Sequence, residues 1–175
     1  MNKKSKLITH NGSFHSDDIF AAATLALVLE KRGEEFEIIR TRDEEVIKTG
    51  KIEDQYVFDV GGVYNEEQNR FDHHQKGGAG KRMIGDVEIE YASFGLVWKK
   101  FGIELCMDQK VVDLIEVKLI APVDAGDNGM KLFDLKNDVM PYMIQSAFNS
   151  FNPGWKDSSH EKMLEGFLEC MGMAK

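Results

Sequence analysis

Cysteine is scarce in this chain, and so are long apolar runs and positive charge. Cys106 and Cys170 are its two cysteines. They lie far apart and form no Cys-x-x-Cys pair, which argues against a disulfide-built secreted scaffold and fits a reducing cytoplasm best. The longest apolar run, residues 19–29, is about half of the ~20 residues a bilayer crossing needs, so no membrane span is expected. The opening Met1-Asn-Lys-Lys-Ser-Lys6 is basic like the start of a signal peptide, but His10, His15, Asp17 and Asp18 stand where such a peptide needs an apolar core. No export signal is expected. Lys and Arg number 22 against 30 Asp and Glu, a formal net charge of −8. A long footprint on duplex nucleic acid needs a basic face, so that partner is disfavoured, whereas a short or small phosphorylated substrate can be held by a few local cations.

What is present reads as one globular unit, on the prior of ~100–200 residues per domain. Residues 6–9 form a first strand entering a polar loop, and 18–32 a buried helix rich in Ala and Leu, ended by Gly33. Phe36–Arg40 is a second strand, 43–49 one or two helical turns, 56–60 a third strand ending in Gly61-Gly62, and 70–73 a short fourth. This alternation predicts an α/β fold with a mostly parallel sheet flanked by helices. Residues 76–85 read as a loose segment. Beyond it come helices at 91–101 and 109–119, a loop at 121–129, and a helical C-terminal part at about 137–149 and 158–171. In the last helix Met163, Leu164, Phe167, Leu168 and Met171 share one stripe, for the core or for an interface such as a homo-oligomer's.

Four of the five histidines fall in two short segments that also carry aspartate: His10-Asn-Gly-Ser-Phe-His15-Ser-Asp17-Asp18 and Phe71-Asp72-His73-His74. Two more apolar runs end on aspartate, at Asp59 and at Asp124, the latter followed by Asp127. A carboxylate entering a core is costly unless a cation or hydrogen-bond donors meet it. Four such segments point to a shared partner. In an open parallel sheet, ligands gather beyond the carboxyl ends of the strands, where His10, His15, Asp17, Asp59 and the 72–74 segment converge. Mixed carboxylate and imidazole donors suit divalent manganese, iron or zinc, with magnesium tolerated. A cluster of this size has room for two ions ~3.5–4 Å apart that activate water and clamp a phosphoryl oxygen.

Plainer readings stand beside these. Ser16 or Asp17 can cap the helix that follows, and Asp18 suits its positive end, an effect worth ~1 kcal/mol. Asp17, two residues after His15, is read as a ligand and Asp18 as nearer the cap. His73 and His74 would face opposite ways on a regular strand, so one is read as a ligand and the other as a group contacting phosphate. Asp124 is read as functional; Asp127, past Ala125-Gly126, is either a turn former or a substrate contact. The stretch Gly77-Gly-Ala-Gly80-Lys81-Arg82 is not a Walker A loop, which needs Gly at 75 and Ser or Thr at 82, where Gln75 and Arg82 stand. It is either an ordinary solvated loop or one that brings Lys76, Lys81 or Arg82 to a substrate phosphate. His160 reads as a surface residue.

Taken together, Asp72-His73-His74, the aspartate-bearing first loop, Asp59 and Asp124 resemble the DHH phosphoesterase superfamily. Longer stretches resemble one branch more closely: THNGSFHSDD (9–18), RTRD (40–43), DVGGVY (59–64), RFDHHQKG (70–77), YASFGLVWKKFG (91–102), PVDAGDNG (122–129) and FNPGW (151–155). That branch is the melanocyte-proliferating-gene-one family of metal-dependent hydrolases and exonucleases. The resemblance implies a single DHH-like domain over 1–175 that binds manganese or magnesium and hydrolyses phosphodiester bonds in RNA or short single-stranded nucleic acid. It places metal at His10, His15, Asp17, Asp59 and Asp124, with Asp72-His73-His74 completing the centre and His73 or His74 acting on the phosphate. Longer members continue into a second domain that closes over substrate. Two other readings therefore stay open: a catalytically silent metal-binding module in a split or oligomeric assembly, and a small-molecule pyrophosphatase.

Overall fold

A computed structural model of the chain describes residues 4–48 and 54–175. Strand β1 (Ser5–Thr9) lies between β2 (Phe36–Arg40) and β3 (Gln55–Phe58), parallel to both. β4 (Tyr64–Asn65) and β5 (Arg70–Phe71) extend the sheet in the order β2-β1-β3-β5-β4, with β5 parallel to β3 and β4 antiparallel at the edge. The fold is α/β with a mostly parallel sheet, as the alternation predicts. Helix α1 (Ser16–Arg32) joins β1 to β2 and is buried along nearly its whole length. Its small Ala residues allow that close packing, and Gly33 ends it in the left-handed conformation (φ +71°) that a side chain disfavours.

Side chains alternate across the strands and so feed two cores. Leu7, Tyr56, Phe58 and Phe71 face the larger one, with α1, α3 (Ser93–Cys106) and α7 (His160–Ala174); Ile8 and Val57 face a smaller one with Val60 and Ile47 of α2 (Glu44–Lys48). Phe14, Phe58, Phe71, Phe94, Phe148 and Phe167 are fully buried, each contributing ~1.5–3 kcal/mol relative to exposure. This apolar mass backs the carboxyl ends of β1, β3 and β5.

Several elements differ from the sequence expectation. Residues 76–85 are not a loose segment throughout: β6 (Lys81–Ile84) and β7 (Val87–Glu90) pair as an antiparallel hairpin over the two-residue turn Gly85-Asp86. The third strand stops at Phe58 and the fourth at Phe71, freeing Asp59, Asp72 and His73 from strand geometry. Where a loop was expected at 121–129, α4 (Gln109–Ile115) runs through a π-helical turn, Glu116–Ile120, into α5 (Ala121–Asp127). Pro122 sits in the first turn of α5, where its missing N–H is tolerated, and Val123 and Ala125 are buried. Helix α6 is only Ile144–Asn149, because residues 130–143 form no helix or strand. Residues 1–3, within the basic opening, and Thr49, at the end of the expected helical turns, lie outside the described residues. Among the described residues, no helix is long and apolar enough to cross a membrane.

Candidate metal centre

Three adjacent parallel strands each deliver a polar residue at the position just past their carboxyl end: His10 after β1, Asp59 after β3 and Asp72 after β5. Asp59 has φ +52°, a left-handed conformation that aspartate tolerates better than most residues and that clusters at functional sites. Its N–H donates to Ser93 Oγ at 3.0 Å. Asp72 builds the turn that follows it by accepting the N–H groups of Gly62, His73 and His74 at 2.5, 2.8 and 3.2 Å. That turn replaces the strand geometry, so His73 and His74 lie ring to ring, 4.2 Å between centroids, instead of pointing apart.

The side chains then converge on Asp59. His10 Nε2 lies 3.2 Å from both Asp18 Oδ2 and Asp59 Oδ2. His73 Nε2 lies 3.4 Å from Asp59 Oδ1 and 3.3 Å from Asp127 Oδ2, while His74 Nδ1 sits 2.7 Å from Asp72 Oδ1 and 3.4 Å from Asp59 Oδ1. His10 Nε2, Asp18 Oδ2, Asp59 Oδ1 and His73 Nε2 are nevertheless buried without a hydrogen-bond partner. Close approach without hydrogen-bond alignment is what donors aimed at a common third body display. Three sets present ligand atoms within 4.8 Å of one another: Asp59, Asp72, His73 and His74; His10, His15 and Asp59; Asp17, His73 and Asp127. The sets overlap through Asp59 and His73, and this donor set is able to hold a divalent metal ion.

The other expected residues distribute as follows. Asp17 is fully buried, and its carboxylate accepts the N–H groups of Ser93 and Phe94 at the start of α3, at 3.1 and 2.7 Å. Asp124 stands outside the three sets. Its Oδ1 accepts the Gly95 N–H at 3.1 Å and its Oδ2 takes Arg82 Nη2 at 2.7 Å. Gly95 makes this possible, since a Cβ there would stand 1.9 Å from Asp124 Oδ2. Arg82, nearly buried, also lies against Glu116 at 2.9 Å and over the Tyr91 ring. Lys81 is exposed and pairs with Glu88 and Glu90 on β7, and Lys76 is exposed. His160 is exposed too, as expected. His15 rather than Ser16 or Asp17 is the N-cap of α1, and its N–H donates to Asp18 Oδ1 at 2.9 Å.

Asp18 is thus the residue that sequence reasoning undervalued: one oxygen serves the cap and the other meets His10. Its full burial is the signal, and burial is not visible in a polar run. Asn128 was likewise missed; its Oδ1 lies 3.3 Å from His73 Nδ1.

Electrostatics describe a centre short of positive charge. Burial by itself lowers an imidazole, but the carboxylates of Asp18 and Asp59 override it and push His10 up to about 10. His73 goes to about 11 by the same contest, burial opposed by Asp127 and Asp59. Burial, then the charges of Asp59, Asp127 and Asp124, push the Asp17 carboxyl well above its usual range. Asp59, despite burial, is held below that range by His10 and His73. The acids therefore retain protons on their neighbours, and a divalent cation supplies the same compensation.

The chain matches, over residues 6–175, the family MYG1_exonuc, described as Uncharacterised protein family (UPF0160). It is 34% identical over 188 residues to the MYG1 exonuclease of Homo sapiens, covering 95% of this chain and 47% of that protein. To the MYG1 protein of Dictyostelium discoideum it is 31% identical over 184 residues, 95% of this chain and 53% of that one. The MYG1 exonuclease of Rattus norvegicus is 31% identical over 186 residues, 95% and 46% of the two chains. The chain spans about half the length of these curated relatives. No solved structure matches it.

Proposed function

The chain belongs to the MYG1 exonuclease family (UPF0160), and from that premise we propose that it is a metal-dependent phosphodiesterase of exonuclease type. We read it as one DHH-type domain acting in a reducing cytoplasm on short single-stranded RNA. The observation that carries this reading is the crowd of imidazole nitrogens 3.2–3.4 Å from the buried Asp59 carboxylate, with Asp59 Oδ1, His10 Nε2 and His73 Nε2 making no hydrogen bond. His10, His15, Asp17, Asp59, Asp72 and His73 would hold the metal, and the overlap of their sets at Asp59 and His73 gives donors enough for two ions. Oxygen-rich donors mixed with imidazole favour manganese, with magnesium tolerated. Such ions, when bound, acidify water and neutralise charge on phosphoryl oxygens.

The chain's own side chains supply the rest. Asp72 fixes the His74 ring through Nδ1, and that side chain is 61% exposed, so it can reach a phosphate. His74 is the group that donates a proton to a phosphate oxygen or to the departing oxygen. Asp17, tied to two N–H groups of α3, anchors the centre to a rigid helix rather than to a loop. Asp124, expected from the sequence to be a ligand, accepts the Gly95 N–H at the same helix end and pairs with Arg82, so in the proposal it is a supporting carboxylate and not a ligand.

Release of nucleotides from a short single-stranded RNA, with and without manganese, tests the proposal. Manganese-dependent release that disappears in Asp59→Ala, with circular dichroism unchanged, is the expected result. Retained release in that variant would remove Asp59 from the reaction. Tight manganese binding without any release would instead favour a metal-binding module that works only in a larger assembly.

A further inference from the structure

A cavity of about 1180 Å³ opens between the first turn of α1, helix α5, the irregular stretch 130–143 and α6. His15 and Asp127 belong both to its wall and to two of the three ligand sets, so it adjoins the centre directly. Its volume exceeds the ~300–1,000 Å³ of pockets that hold one drug-sized ligand. That is room for a nucleotide and part of the next.

The lining divides into two kinds of surface. Leu132, Met140 and Ile144 are large apolar side chains left exposed here instead of in the core, and half-buried Phe133 adds an aromatic face. Grouped exposed apolar surface marks a binding face. The charged part of the wall is Lys118 and Lys131 against Asp127 as its one carboxylate, although the chain carries a net charge of −8. Lys131 is shared with Asp134, whereas Lys118 makes no ion pair among the described residues. The catalytic proposal uses none of these lysines or apolar side chains. Cations set around an aromatic face are the combination that takes an unstacked base together with its phosphates, and here Phe133 supplies that face with the aliphatic side chains beside it.

We propose that this cavity seats the unpaired terminal nucleotide of a single-stranded substrate, its base on the apolar wall and its phosphates toward Lys118 and Lys131. The proposal rests on the phosphodiesterase reading above and adds where the strand end lies and why a duplex end, whose bases stay stacked, is a poor substrate.

The test uses the whole 175-residue chain, a fluorescein-labelled single-stranded RNA hexamer, and the blunt duplex of the same sequence. Met140→Asp removes apolar wall from an exposed position and sets a carboxylate against the phosphates, and Lys118→Glu reverses the cavity's free cation, with circular dichroism checking that each folds. In the presence of manganese, each variant is expected to raise KM for the hexamer about ten-fold with kcat little changed, and the duplex to be processed about ten-fold more slowly than the single strand. An unchanged KM in both variants, while the unmodified chain releases nucleotides, overturns the cavity assignment and leaves the phosphodiesterase reading intact. Equal rates on duplex and single strand overturn it as well. If the unmodified chain releases nothing, the phosphodiesterase reading fails, and fluorescence anisotropy of the hexamer then decides the cavity alone. Binding weakened in both variants supports it, and binding equal to that of the unmodified chain overturns it.

Discussion

Asp59 and Asp124 are both buried carboxylates at the end of an apolar run, yet they meet opposite surroundings. Asp124 faces a guanidinium 2.7 Å away and a helix-terminal N–H at 3.1 Å. Asp59 faces imidazoles that other acids must keep protonated, and one of its oxygens has no hydrogen-bond partner. An acid whose counter-charge is part of the chain behaves as a brace between elements, here linking the β6-β7 hairpin, α5 and α3. An acid whose neighbours are more acids and imidazoles sits in a donor set able to hold a divalent cation.

The largest expected effects come from breaking each arrangement in turn. Asp59→Ala should lower manganese affinity by about 100-fold or more, beyond the 10–100-fold typical of supporting groups, as read by isothermal titration calorimetry. Arg82→Ala should do the reverse: it strands Asp124 and Glu116 and costs ~3–5 kcal/mol in urea unfolding, while the folded fraction still binds manganese. If Arg82→Ala unfolds no more easily than the parent, the contrast between the two carboxylates collapses.

Asp124→Asn sharpens the same comparison because it keeps the shape and removes the charge. As a brace, Asp124 should leave manganese affinity within about three-fold and lower the urea midpoint; as a ligand, which the sequence suggests, it should lose affinity by about 10–100-fold.

A smaller effect follows from the protons at the centre. In the metal-free chain, His10 and His73 hold protons up to about 10 and about 11, against an ordinary value of 6.5. Their contribution to stability is therefore full below about 6.5 and is lost as pH rises through about 10 to 11. On the proposed ligand set, manganese would have to displace these protons, so its affinity should rise between about pH 7 and about pH 9, with proton release visible in buffers of different ionisation enthalpy. Affinity independent of pH would mean that the ions bind without His10 and His73.

How much of this was legible in the sequence follows from what each signal measures. The short apolar runs of β1, β2 and β3, alternating with the Ala-rich α1 and the turns of α2, mark strands and helices, so their order and direction could be read, and with them the convergence of His10, Asp59 and Asp72. The hairpin was hidden because Gly77, Gly78 and Gly80 precede it and suggest a loop, although Gly85 at φ +61° is the residue its turn requires. Helix α5 was hidden because Asp124-Ala-Gly-Asp127 carries turn-forming residues; burial of Val123 and Ala125 overrides that propensity. The pairing of Asp124 with Arg82, 42 positions away in the chain, depends on tertiary packing that no local pattern records. Asp18 shows the same limit at short range, since a cap and a buried contact use identical residues.

The last test lies within two consecutive residues. Lys81 and Arg82 sit next to each other on β6 and therefore face opposite ways. The sequence groups them with Lys76 as cations for a substrate phosphate. Arg82 turns inward to Asp124, while Lys81 stays exposed and reaches Glu88 at 2.8 Å and Glu90 at 3.4 Å across the hairpin. Exposed pairs of this kind contribute little to stability, so Lys81→Ala should leave both the urea midpoint and the manganese affinity unchanged. A higher KM for RNA in that variant, with neither of those readouts moving, would make the hairpin's outer face a strand contact. The line between built-in counter-charge and ligand-facing charge would then run between residues 81 and 82, whereas an unchanged KM would leave the cavity's lysines as the cations that meet the strand.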